Sequence, residues 1–308
     1  MDADRETNRA YGIAPPGYRL PDATRIGRVR LQVADLQRSL DYYERVLGLV
    51  VHTRTETTAV LTANGDDHVL VELREKRGVQ PAPKRGAFGL FHFAILLPHR
   101  ADLGRFVAHV ASLGIRPGAA DHWVSEAIYL TDPDGLGIEV YADRPRSTWQ
   151  VRGRELAMAT EALDLEDLTR SGEGEYWSGA PAGTVIGHVH LHVGNLDDAE
   201  RFYHVGLGLD KVVWGYPGAL FLAAGGYHHH LGTNTWSPGP SASENQAHLL
   251  EWELLVPTAA DATDVARSLS ATGYAADADA STWSVRDPWK TRLRIASAPG
   301  AASAETGH

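Results

Sequence analysis

Glu139 and a group of clustered histidines are the residues of this sequence best suited to chemistry. Glu139 lies in Gly137-Ile138-Glu139-Val140-Tyr141, which reads as a strand returning from the Asp132-Pro133-Asp134-Gly135 turn after Ile128-Tyr129-Leu130. Strand side chains alternate, so Glu139 and Tyr141 share one face and Ile138 and Val140 the other. His188, His190 and His192 alternate with Val189, Leu191 and Val193 in the same way. Three imidazoles on one face make little sense in a dry core and good sense in a wet site. Three consecutive histidines, 228 to 230, follow Gly225-Gly226-Tyr227. With 15 histidines and no cysteine, any metal must be held by imidazole and carboxylate; thiolate zinc sites, disulfides and cysteine nucleophiles are excluded. A lone strand histidine more often serves the core or the surface. Repetition on one face is what argues for a site.

The elements that must position these groups fit within 308 residues, enough for two domains with full cores. A formal charge of -10 argues against nucleic acid, whose phosphates need the opposite sign. No apolar run approaches membrane-spanning length, and the polar start with its paired prolines does not resemble a secretory leader, so the expectation is a cytoplasmic protein with no membrane partner.

One unit recurs four times: strand, capped helix, glycine turn, then several strands. The modules span 26–76, 88–143, 184–236 and 248–297, with helices expected at 36–47, 103–113, 196–205 and 262–269. The fold class is therefore α+β, four βαβββ modules. A first domain would cover 26–145 and a second 184–298, joined by a connector at 146–183 with a short helix at 163–168 and a Gly/Ser/Pro-rich tail. Residues 1–25 and 299–308 read as loosely ordered tails.

This organisation, with Leu-Gly turns after the helices and Asp-Pro-Asp-Gly ahead of Ile-Glu, resembles the vicinal oxygen chelate superfamily, which includes glyoxalase I, fosfomycin-resistance proteins and type I extradiol dioxygenases. The resemblance covers residues 26 to 296. It implies that two modules close into a cupped barrel with a metal on first and last strands. At those places the modules offer Arg28 and Glu72; His92 and Glu139; His188 and His228 or His230; Glu251 and Arg294. Pairing module two with module three gathers His92, Glu139 and His188. Two histidines and a carboxylate leave one face of a six-coordinate ion open, the arrangement of non-haem Fe(II) oxygenases, although Mn(II) accepts the same donors. Modules one and four would then bring Arg28, Glu72, Glu251 and Arg294 together as an ion-pair cluster.

Residues His122 to Tyr129, followed by the turn and Glu139, are similar to the type I extradiol dioxygenase segment carrying a substrate-binding His, a Tyr and the Glu ligand; the spacing to Tyr129 is shorter here. Gly225-Gly226-Tyr227-His228 is similar to the strand bearing that family's acid-base His. The resemblance is to the catechol-2,3-dioxygenase-like branch with exchanged module pairing. It implies that an aromatic diol is opened by O2 at Fe(II), with His228, Tyr129 and His122 as catalytic groups. His190, His192, Tyr227 and His230 would line the substrate site, and fold analogy implies a homodimer. If His230, which aligns with Glu139 when counted from Gly-Gly, were a fourth ligand, the site would be a glyoxalase I-like cage suited to isomerisation. A drug-binding cup without catalysis is the third reading.

Overall fold

The computed structural model describes residues 11–83 and 85–298. Module one supplies β1 (Arg25–Val33), β2 (Val50–Arg54), β3 (Thr58–Thr62) and β4 (Val69–Glu75); module two supplies β5 (Gly89–Leu96), β6 (Gly118–Asp121), β7 (Ser125–Thr131) and β8 (Gly137–Asp143). The connector forms a short hairpin, β9 (Val151–Arg152) and β10 (Glu155–Leu156). Module three follows with β11 (Val185–His192), β12 (Asp210–Val213), β13 (Ala219–Ala223) and β14 (Leu231–Asn234), and module four with β15 (His248–Val256), β16 (Asp277–Asp279), β17 (Thr282–Arg286) and β18 (Arg292–Ser297). Two eight-stranded sheets result, β12-β13-β14-β11-β5-β8-β7-β6 and β16-β17-β18-β15-β1-β4-β3-β2. Module two is thus joined to module three through antiparallel β5 and β11, and module one to module four through β1 and β15.

Helices α1 (Leu36–Arg45), α2 (Arg100–Ser112), α3 (Leu165–Ser171), α4 (Leu196–Ala199) and α5 (Ala259–Ala271) begin at side chains that satisfy otherwise orphaned amides. Asp35, Asp164, Asn195 and Thr258 each accept from the amide three residues on. A π-helical segment, Glu200–Gly206, continues α4, and the apolar face of every module turns onto these helices: Leu36 and Leu40, Phe106, Phe202 and Leu269 are buried with Val29, Leu31, Phe93, Ile138, Val189 and Trp252 in one continuous core. Period-two alternation then leaves the polar side chains on the other, concave face of each sheet. Among the described residues no helix is long and apolar enough to cross a membrane.

The concave face of the second sheet carries the charged residues expected there. Arg28 lies 3.6 Å and Arg30 2.9 Å from Glu72, Arg30 also reaches Glu251 at 3.5 Å, and Arg294 pairs with Glu253 at 2.9 Å. Arg30 and Glu253 join the cluster because they sit two residues along the same faces as Arg28 and Glu251.

Two expectations need correction. Residues 11–24 are not a loose tail: Ile13 bridges to Lys211, the Tyr11 hydroxyl donates to the Gly226 carbonyl, and Leu20 is buried in the core. Apolar Leu20 and paired backbone groups fix this stretch, while residues 1–10 and 299–308 lie outside the described residues. The third module does not close on a strand through residues 225–230. That segment is a loop and β14 starts at Leu231, because Gly225 and Gly226 both adopt positive φ, which a strand cannot accommodate.

The turn ahead of β8 carries a testable pH dependence. The Asp132 carboxylate accepts from the Asp134 and Leu136 amides at 2.9 and 2.8 Å and from the Tyr43 hydroxyl at 3.2 Å. Burial nevertheless raises its pKa to about 6. A carboxyl raised on folding gives its full stability below the unfolded value near 4, and loses it as pH rises to about 6. Asp132→Asn keeps the acceptor for both amides. Relative to wild type it is expected to gain about 2 kcal/mol between pH 4 and 6 and stay level above. Parallel urea-unfolding profiles for the two proteins would refute this.

Candidate metal centre

His92 projects from β5, Glu139 from β8 and His188 from β11, three adjacent strands of the first sheet. Glu139 Oε2 lies 2.9 Å from His92 Nε2 and 3.1 Å from His188 Nε2, and the two Nε2 atoms are 3.3 Å apart. Among the described residues these three form the one group of donors close enough to share an ion. Donors held about 2.1 Å from a common ion at right angles to each other lie about 3.0 Å apart, and at tetrahedral angles about 3.4 Å. Separations of 2.9 to 3.3 Å fall in the range that lets all three donors reach one ion.

Charge agrees with this. Burial pushes the Glu139 carboxyl up, but the charge and hydrogen bond of His188, and then His92, outweigh it and hold it well below its ordinary value. Burial brings His188 down to about 4, with Glu139 opposing. The resulting state near neutrality is an ionised Glu139 carboxylate beside a neutral His188 imidazole, the protonation a divalent cation requires of these donors.

The fourth place around the centre has no side chain. Parallel pairing sets Glu139 opposite Ala94, two residues beyond His92. The same step from His188 gives His190, whose partner on β14 is Gly232. A Cβ on Gly232 would meet the His190 ring at 2.9 Å, so the imidazole lies directly over the vacant position. Neither His228 nor His230 occupies it.

The centre opens into a cavity of about 380 Å³. Phe91, Phe221, Tyr216, Trp236 and Met158 supply apolar walls, and His122, Tyr129, His190 and His229 supply polar atoms. The His122 Nδ1 lies 2.6 Å from the Ala159 carbonyl, which only accepts, so Nδ1 carries the proton. Nε2 therefore accepts from the Tyr129 hydroxyl at 2.6 Å. Burial, then the Glu139 charge, keeps that phenol protonated by raising it well above its ordinary value. His190 Nε2 accepts from the Asn234 amide at 3.0 Å, leaving Nδ1–H as the donor of a neutral ring. His192 donates from Nδ1 to Asn234 Oδ1 at 2.7 Å and does not line this cavity.

The histidine run divides three ways. His228 is fully buried and away from the cavity: its Nε2 donates to Asp143 Oδ1 at 2.8 Å and its Nδ1 lies 2.7 Å from His229 Nδ1. His229 lines the cavity, its ring 4.1 Å from that of His188. His230 Nδ1 accepts from the Ala224 amide, and its ring lies against Tyr227. Tyr227 is also behind the cavity wall, donating to Asp143 at 3.2 Å and paired with the Tyr141 hydroxyl at 2.7 Å. A regular strand would have put His228 and His230 on one face; the loop breaks that alternation and presents His229 instead.

A family model described as Glyoxalase/Bleomycin resistance protein/Dioxygenase superfamily matches residues 25–140. The catechol-2,3-dioxygenase of Bacillus subtilis (strain 168) is 44% identical over 271 residues, 86% of this chain and 94% of that protein. The chain belongs to this superfamily. Biphenyl-2,3-diol 1,2-dioxygenase 3 of Rhodococcus globerulus is 28% identical over 141 residues, 44% of this chain and 74% of that protein. Among solved structures, glyoxalase I from Zea mays has the same fold, with a TM-score of 0.54 at 18% identity, covering 89% of this chain and 92% of that one.

Several residues around this centre escape a reading by position. His229 carried no strand-position signal. Asn234, which bonds both His190 and His192, lay beyond the expected end of the closing strand. Met158, Ala159 and Thr160 come from the connector, which reaches over the cup and is tied by the Asp121–Glu161 bridge. Trp236 could be suspected as an aromatic wall from its type alone.

Proposed function

We propose that this chain is an extradiol ring-cleaving dioxygenase that opens a catechol-type aromatic diol with O2 at a mononuclear Fe(II) held by His92, Glu139 and His188. The observation that carries this reading is the side-chain-free fourth position at Gly232, which leaves one side of the centre to substrate and oxygen. The Bacillus subtilis relative's name supports the same reaction. A glyoxalase-type cage needs a protein donor where Gly232 stands.

Fe(II), when bound, supplies adjacent open positions and electron density for a chelated diol and O2. The protein's part is positional. Phe91, Phe221 and Trp236 enclose a flat ring and exclude water. The Tyr129 hydroxyl, oriented by His122, and His190 Nδ1–H are donors for oxygen atoms of the substrate. His229 takes the acid-base role. The Asp143 carboxylate fixes the proton of His228 on Nε2, His228 Nδ1 accepts from His229 Nδ1–H, and His229 Nε2 keeps a free lone pair to accept the diol proton and return it.

The test is anaerobic reconstitution with Fe(II) or Mn(II), followed by catechol and air. Metal-dependent O2 uptake with a yellow ring-opened product is expected. Conversion of a methylglyoxal–glutathione adduct without O2 uptake would overturn the proposal in favour of an isomerase.

A further inference from the structure

We infer that the cup of the second sheet, where no group of metal donors lies among the described residues, binds a small organic dianion: two carboxylate or phosphate groups on an apolar body. A cavity of about 600 Å³ opens there, lined mainly by modules one and four and closed on one side by Phe88 to Leu90 and the 240–242 loop. Its charged lining is six cations, Arg30, Arg74, Lys76, Arg286, Lys290 and Arg292, against two anions, Glu244 and Glu251. This concentration stands out in a chain of net charge -10.

Ion pairing accounts for part of it. Arg30 pairs with Glu72 and Glu251, and Arg292 lies 4.0 Å from Glu251. Arg74, Lys76, Arg286 and Lys290 form no ion pair among the described residues; Lys76 donates to the Glu244 carbonyl at 2.8 Å and Arg286 to the Lys290 carbonyl at 2.9 Å. These four cations are exposed at the rim of the cavity; without counter-charges they repel each other and raise the local concentration of anions. Phe88, Leu90 and Trp289 line the same space, with Phe88 and Trp289 packed edge to face at 6.4 Å, and offer a surface to an apolar body.

A second, independent feature is the backbone at Lys290. The Asp287-Pro288-Trp289-Lys290 turn repeats Asp132-Pro133-Asp134-Gly135: in both, the leading Asp accepts from the amides two and four residues on. The last turn residue has positive φ in each, 85° at Gly135 and 73° at Lys290. Glycine adopts this conformation freely and an L side chain does not. Module four keeps a lysine where the geometry favours glycine, and that lysine lines the basic cavity. The local cost of a side chain at this φ is one that a role for the Lys290 ammonium in the cavity would offset.

The Fe(II)-loaded protein is titrated calorimetrically with benzene-1,3-dicarboxylate, with benzoate and sulfate as probes of the ring and of charge alone. Saturable binding of the dicarboxylate is expected, tighter than either probe and weakened about tenfold between about 0.05 and about 0.5 M salt. Lys290→Gly combined with Arg74→Gln is expected to lose about tenfold or more in affinity. Glycine suits the turn, so the variant folds, and its ring-cleavage activity stays at the wild-type level. Arg116→Gln, an exposed charge on another face, leaves binding unchanged. Absence of saturable binding would overturn the inference. So would equal affinity in wild type and the double variant, which would place the anion at the first cup.

Discussion

Glu139→Gln is expected to cost more than about 100-fold in metal affinity and to remove turnover with it, while the apo protein keeps its fold. The substitution preserves volume within β8, so the packing of Ile138 and Val140 on the core is untouched. What disappears is the only negative charge among the three donors, and a divalent ion would then sit among neutral ligands in a buried cup. The loss is read by metal content after gel filtration and by calorimetric titration, with the melting temperature of the metal-free protein as the control. Stoichiometric metal at unchanged affinity in Glu139→Gln would remove the basis for the metal centre.

His229→Ala should lower kcat by about 10² to 10⁴ with metal content unchanged, since it deletes the group proposed to take the diol proton at the cavity wall and return it. His228→Asn should cost far less, about tenfold, because His228 acts only through His229 by fixing which nitrogen is protonated. A positioning role also predicts a shifted pH profile of kcat in His228→Asn, which simple loss of packing would not give. If His228→Asn were the more damaging of the two, the acid-base role would return to His228. The contrast is informative because sequence position favoured His228, whereas the loop geometry exposes its neighbour.

Both results turn on the same difference between regular and irregular chain. His92, Glu139 and His188 could be read from the sequence because each lies on a strand, where a period of two fixes which residues share a face whatever the surroundings. The same rule made Arg28, Glu72, Glu251 and Arg294 legible as a charged counterpart, and capping residues such as Asp35 and Thr258 marked the helices. Periodicity fails where the chain leaves a strand. Once Gly225 and Gly226 take positive φ, nothing local decides which of His228, His229 and His230 faces the cavity; Asp143, 85 residues from His228, decides it by capturing His228.

The amino-acid order thus determined four repeated modules, the strand faces bearing potential ligands, and the restriction to nitrogen and oxygen donors, all of which depend on neighbours along the chain. The pairing of modules was already implied by where the ligand residues fall; tertiary structure alone decided that Gly232 leaves the centre open, and that the connector and His229 complete the cavity. These are relations between segments distant in sequence, set by strand register and by packing against elements that no local pattern encodes.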